Sequence, residues 1–378
     1  MKKYLFLLAS ALCAASCIYP FVTDLESETS DALVVNGNIL VGGISTIQLS
    51  YIIPLNKRAV NKATGYAWIE DDLGNRYYPS GEAPLLSDML YIPTDSPQAQ
   101  NATSFRAVVE ADGETYASEW TTPSAAPKIT DIAFEADDQN VYVMANLVTG
   151  VDNPGYMGFL YEETWEFHAD YVAEYEVDPK TWRFSELTAP YPYYWCYRHN
   201  KPMEIVLTDI SHLENGTINN VPVLSFPRTD KRNLKKYSVL VKAFALSQEA
   251  YRYNKQLQDV SDQGGDLFSP DPGAMDGNLV CTSNPEREVM GMVLSGRVSS
   301  RREFLDTRYS KYKDPEDNSM LGILERKDWD MFYHEMGYRP VKYIQDSEGN
   351  TGMGWGLLRC IDCIADGGTQ EKPDFWED

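Results

Sequence analysis

Cysteines are the residues with the most obvious chemistry, and their surroundings separate two uses. Cys17 closes a run that starts at Lys2 and Lys3, continues through the apolar stretch Tyr4 to Leu12, and ends on Ala14-Ala15-Ser16. A positive start, a short apolar centre and small residues make a removable secretion signal. The run is also shorter than the roughly 20 residues a helix needs to span a bilayer. Because the small residues end at a cysteine, the pattern is a lipobox, and Cys17 is expected to be diacylated and to tether the chain to a bacterial membrane. Plain secretion with Cys17 unmodified is the alternative. Either route leads to an oxidising compartment, where Cys196, Cys281, Cys360 and Cys363 form an even set that allows three pairings. The favoured pairing is Cys196–Cys281 with Cys360–Cys363.

Cys360-Ile361-Asp362-Cys363 has the spacing of a redox motif, but such a motif opens a helix after a strand, where the helix terminus lowers a thiol pKa. Here it sits in an aperiodic tail, so a structural disulfide is the expectation. A zinc site would need a second close ligand pair, and Cys196 and Cys281 stand far apart and single. The four histidines, at 168, 199, 212 and 334, belong to no metalloprotease, nucleophile-elbow, phosphate-loop or dinucleotide pattern. Gly352-Met353-Gly354-Trp355-Gly356 lacks the lysine and the strand–turn–helix setting of a phosphate loop and is expected to be a turn. No metal or cofactor is expected. Asp and Glu are abundant enough to leave room for a hydrolase built on paired carboxylates, though no pair stands out. If the chain holds a ligand by stacking, the candidate rings are Trp182, Tyr191, Tyr193, Tyr194 and Trp195, which could meet sugar rings or peptide side chains. Packing between domains around Cys196 would use the same rings.

Charge narrows the partners. The net charge is −23, and loss of Lys2 and Lys3 with residues 1–16 leaves −25. Nucleic acid is excluded as a partner, since phosphate binding needs a basic face, and lying flat on an anionic bilayer is disfavoured. The lipid is then the one expected membrane contact. Residues 17–32 carry Asp24, Glu26, Glu28 and Asp31 with little apolar matter, as a solvated tether does.

The elements that must position these residues read as short strands. Leu33–Leu40, Thr46–Ser50, Gly65–Glu70, Arg76–Tyr78, Ser104–Glu110 and Thr115–Trp120 are β-propensity runs separated by polar turns. Their spacing predicts an immunoglobulin-like β-sandwich over 33–122. Thr122 to Pro127 reads as a linker, and 128–378 as a larger β-rich domain with strands at Ile129–Phe134, Val141–Met144, Tyr156–Tyr161, Glu163–Tyr175, Lys236–Leu246 and Val289–Val298. Ser247 and Glu249 introduce a helix over 248–260. Trp329–Tyr338 reads as a short helix, and the tail from Cys360 as disulfide-stapled.

In order along the chain, several segments resemble one family. The lipobox is followed by Leu33-Val34-Val35-Asn36-Gly37-Asn38-Ile39, then Tyr161 to Glu166 with Trp165, Trp195-Cys196, and Tyr237 to Val241 running into Leu246-Ser247-Gln248-Glu249-Ala250-Tyr251. Gly277-Asn278 precedes a strand, and the chain closes on Cys360 to Cys363, Gly367-Gly368-Thr369 and Lys372 to Trp376. The chain resembles the Bacteroidota lipoprotein family known as domain of unknown function 4249. Asn36 and Asn38 depart from the charged or varied residues expected there. The resemblance implies an outer-membrane lipoprotein, at the cell surface or facing the periplasm, serving a SusC-like TonB-dependent receptor by capturing or presenting a ligand; it carries over no catalytic residues. Two other classes stay open: the carboxylate-dependent hydrolase, and an immunoglobulin-like structural or adhesion lipoprotein.

Overall fold

The computed structural model describes residues 32–52, 63–80, 87–125, 127–149, 154–188, 193–213, 216–262, 277–315 and 320–376. Cys17, the acidic tether and Tyr191 lie outside them. Seven strands open the chain: β1 (Leu33–Val41), β2 (Ile44–Tyr51), β3 (Tyr66–Asp71), β4 (Arg76–Tyr77), β5 (Met89–Pro93), β6 (Phe105–Ala111) and β7 (Glu114–Ser118). Ser96 caps a short helix, α1 (Pro97–Asn101), by accepting from the Ala99 amide. One sheet carries β1, β2 and β5, the other β7, β6, β3 and β4. Their inward residues, among them Val35, Ile39, Ile47, Ile69, Phe105 and Val109, are fully buried in one shared core. Alternation along β1 sends Leu33, Val35 and Ile39 into this core and Asn36 and Asn38 to the opposite face.

The second sandwich is built from β8 (Lys128–Ala136), β9 (Asn140–Val148), β10 (Tyr156–His168), β13 (Trp195–Asn200), β14 (Val206–Asp209), β15 (Thr217–Pro227) and β16 (Lys236–Leu246). Between them, β11 (Tyr175–Asp178) and β12 (Arg183–Glu186) form a separate hairpin. The two segments expected at 156–161 and 163–175 are one strand that stops at His168, where the chain turns. Strands β10 and β16 pair antiparallel from Tyr156↔Leu246 to Glu166↔Lys236. Phe159, Phe167, Val239 and Val241 fill the core between this sheet and β15-β9-β8. Glu163 points into the same core, with its side chain 1% exposed. It accepts from Tyr237 Oη at 2.8 Å and Asn200 Nδ2 at 2.7 Å, and Arg232 Nε lies 3.1 Å from it. Burial, and then the neighbouring carboxylate, push the Tyr237 phenol well above its ordinary value.

After β16 the chain forms helix α2 (Gln248–Asp262) and then returns. Strands β17 (Leu279–Cys281), β18 (Val289–Met290) and β19 (Val293–Arg297) complete the first sandwich: β17 pairs with β7, and β18 and β19 run parallel to β1. The first sandwich is therefore not closed by residues 33–122. The run 289–298 is two strands, broken at Gly291. There φ is +111° and a Cβ would meet Val35 O at 2.1 Å. Strand β20 (Ser299–Leu305) then crosses back to pair with β16. Leu40 and Leu294 of the first sandwich pack with Ile205, Phe244 and Leu246 of the second and with Ala250 of α2, so a common apolar seam joins the two.

Residues beyond β20 make a small third unit from β21 (Gly322–Ile323), α3 (Trp329–His334), β22 (Tyr338–Gln345) and β23 (Thr351–Leu357). Helix α3 ends at His334, short of the expected Tyr338, which already begins β22. The expected turn at Gly352–Gly356 is instead part of β23. Its alternate glycines face crowded neighbours: a Cβ would approach Ile323 Cγ2 to 2.8 Å at Gly352 and Leu321 Cδ2 to 2.8 Å at Gly356. Met353 and Trp355 point the other way and are buried. Among the described residues no helix is long and apolar enough to cross a membrane.

Candidate functional site

The disulfide differs from the favoured pairing. Cys196 is bonded to Cys363, while Cys281 and Cys360 are free and buried. Cys281 lies on β17 in the core of the first sandwich, whereas Cys196 lies on β13 in the second. What brings Cys363 to Cys196 is backbone pairing of the tail against β13. Cys363 N donates to Tyr193 O at 2.8 Å, and Tyr197 and Thr369 exchange bonds of 2.7 and 2.8 Å. Burial raises the Cys360 thiol above its ordinary value, opposite to the lowered thiol of a redox cysteine.

The candidate rings do not assemble one platform. Tyr194 stacks on His168 at 4.9 Å and Trp195 meets the same imidazole edge-on at 4.7 Å. Lys235 Nζ lies 4.9 Å from the Trp195 ring centroid. Tyr193 and Trp195 are exposed beside the disulfide. Trp182 packs against the third unit from the β11–β12 hairpin. It occupies the β11–β12 turn at φ +57°, an unusual conformation for a bulky residue, and its indole packs at 6.0 Å from Trp329 and 5.8 Å from Tyr333. The Arg326 guanidinium lies 5.1 Å from Trp182 and 4.7 Å from Trp329. These rings are therefore engaged with one another and with an arginine.

A cleft lies where α2 crosses the first sandwich. Its volume is ≈ 330 Å³, within the range of small-ligand sites. The floor is the outer face of the first sheet. Asn36 stands opposite Gln48, and Asn38 opposite Thr46; Met89 stands beside Gln48, and Leu294 beside Asn38. One wall is α2, through Tyr253, Asn254, Leu257 and Gln258; the other is the segment Met203-Glu204-Ile205 before β14.

The helix sits here because its sequence fits both sandwiches. Ser247 Oγ caps it by accepting from Ala250 N at 3.1 Å. Ala250 is buried in the seam, and Tyr251 stacks on Tyr156 at 4.5 Å. Gln258 Nε2 donates to Ile205 O at 2.7 Å and closes the far end of the cleft. Tyr253 Oη donates to Asn36 Oδ1 at 3.0 Å, and the same oxygen accepts from Met292 N at 3.2 Å. Burial pushes the Tyr253 phenol up to about 12, so it stays a neutral donor. Asn38 Oδ1 is likewise saturated, accepting from Thr46 N at 3.2 Å and Thr46 Oγ1 at 2.8 Å. Each carboxamide is thereby fixed in orientation. A second cleft of ≈ 560 Å³ lies past Tyr253, Met292 and Leu294, lined by Glu249, Arg252, Thr121 and Asn278. Among the described residues no group of three or more His, Cys, Asp or Glu is placed to hold a metal ion.

The family model for the domain of unknown function DUF4249 matches residues 18–302. The chain belongs to the DUF4249 family. A search of curated proteins returns no match. The DUF4249 match spans the first sandwich, the second as far as Arg302 in β20, α2 and every residue named for the 330 Å³ cleft. The third unit's β21–β23 and Cys363 lie beyond it. None of the cleft residues was expected from the sequence. The available signal was Asn36-Gly37-Asn38, polar residues alternating on the outer face of an otherwise apolar strand.

Proposed function

We propose that this DUF4249 protein is a lipid-anchored outer-membrane protein that captures a ligand for a SusC-like TonB-dependent receptor. The observation that carries the reading is the preformed cleft, whose donors are fixed by internal bonds before any ligand arrives. Such preorganisation lowers the entropy cost of binding. The Cys17 lipobox supplies the anchor, and the acidic segment behind it supplies reach towards the cell surface. The receptor association rests on the family resemblance. We read the first sandwich as an immunoglobulin-like module, on the strength of its two facing sheets, and assign it the role of presenting the cleft floor. The chain crosses between the sandwiches before β8, along α2 and between β19 and β20, a connectivity that supports a rigid presenting scaffold.

The test is affinity purification of the lipoprotein from outer membranes solubilised in mild detergent. A co-purifying TonB-dependent β-barrel is expected. Recovery of the lipoprotein without any such barrel overturns the proposal.

A further inference from the structure

Resting on the capture reading, we infer that the cleft above Asn36 and Asn38 takes a short, uncharged peptide segment in extended conformation. Asn36 and Asn38 project from the same face of β1 two residues apart, about 6.6 Å along the strand. That is also the repeat at which carbonyl groups recur on one side of an extended peptide. In both side chains Oδ1 is consumed inside the protein. The Nδ2 groups have no partner among the described residues, and an amide offers two donors there. Asn36 is half-buried and Asn38 7% exposed, so Asn36 offers the more open donor and Asn38 a deeper one, a pair matched in spacing to alternate peptide carbonyls, with Gln48 alongside.

The rest of the lining agrees. Met89, Met203 and Met292 border the cleft, and thioether side chains adapt to varied apolar groups. Among the described residues no lysine or arginine lines it, and Glu204 is its one carboxylate, so an anionic ligand would find no counter-charge there. Among the described residues of the lining the one aromatic ring is Tyr253, whose hydroxyl is spent on Asn36.

Binding can be measured with the full lipidated protein in detergent micelles. One probe is a fluorescent pool of acetylated, amidated pentapeptides built from Ala, Gly, Leu and Thr; the other is a pool of malto-, xylo- and manno-oligosaccharides of similar length. Asn36→Asp keeps the Oδ1 that accepts from Tyr253 and Met292 and turns the donor into an acceptor. The expected loss in peptide affinity is about 5- to 10-fold, the return of one hydrogen bond. Met203→Ala, at an exposed position on the rim, is expected to cost about 2- to 5-fold with unchanged thermal stability, and it decides the matter if the Asp variant folds poorly. Peptide binding that ignores both substitutions overturns the inference. Binding of the saccharide pool alone, weakened by the same substitutions, overturns the peptide class and leaves capture standing. Failure of both pools overturns the inference, whereas co-purification with a receptor decides the wider reading independently.

Discussion

Replacing both bridged cysteines, Cys196→Ser with Cys363→Ser, removes a cross-link between residues 167 apart in sequence. In the chain-entropy account, closing a loop of that length costs the unfolded chain about 5 kcal/mol, and natural disulfides usually return roughly 2–4 kcal/mol of it. Part of the cross-link's local work is shared here. The Cys363–Tyr193 and Thr369–Tyr197 backbone bonds also hold the tail on β13. The double variant should therefore stay folded while losing about 2–5 kcal/mol in urea unfolding, with the midpoint lowered and the slope raised, because the unfolded chain without the cross-link exposes more surface. Single Cys281→Ser and Cys360→Ser variants, which leave the cross-link intact, should stay oxidised and give one Cys196–Cys363 peptide on digestion without reductant. An unchanged midpoint in the double variant, or a peptide joining Cys360 to Cys363, would refute the reasoning.

Other substitutions test the packing. Gly291→Ala drives a Cβ against Val35 O and should destabilise the first sandwich by several kcal/mol, seen as early loss of amide protection in β1 and β19. Glu163→Ala leaves the buried Tyr237 hydroxyl and the Asn200 amide without their acceptor and removes one of two carboxylates beside Arg232, a loss of about 1–3 kcal/mol; thermal unfolding reads this directly. Acid should weaken the fold. Hydrogen bonds from the Asn140 amide first, then Tyr142 and the Gln139 amide, hold Asp137 down from 3.8 to about 2, and Asp71 and Asp346 are lowered in similar turns. A depressed carboxylate contributes stability that is present above its unfolded value and is lost as pH falls through its folded value. Urea midpoints should hold from pH 6 to pH 5 and drop between about pH 4 and pH 2; a rising midpoint across that window would contradict the assignment.

Local signals in the chain were strong wherever one face of a strand was apolar. Lys236–Leu246 reads as a strand and is one, and the Ser247 cap marks the start of α2. What was hidden is non-local. Nothing in the composition of 279–297 says that it pairs with β1 and β7 rather than with its sequence neighbours. Glycines at 352, 354 and 356 look like a turn because their reason for being small, the approach of Leu321, Ile323 and Ile344, lies elsewhere in the chain. Cysteine connectivity was hidden for the same cause. The aromatic candidates drew attention to ring faces, yet Tyr194 stacks on His168, Trp195 meets His168 and Lys235, and Trp182 meets Arg326. The cleft instead depends on two asparagines whose meaning appears only when α2 is laid across them.

The proposed handover from cleft to transporter can be examined on living cells with a photo-crosslinking residue at Met203, 39% exposed at the cleft, and a control at Tyr343, 54% exposed on the third unit. Position 203 should give a covalent adduct with a TonB-dependent β-barrel, and position 343 should give none. An adduct at 343 alone, or none at 203, would contradict the claim that the cleft delivers to a receptor.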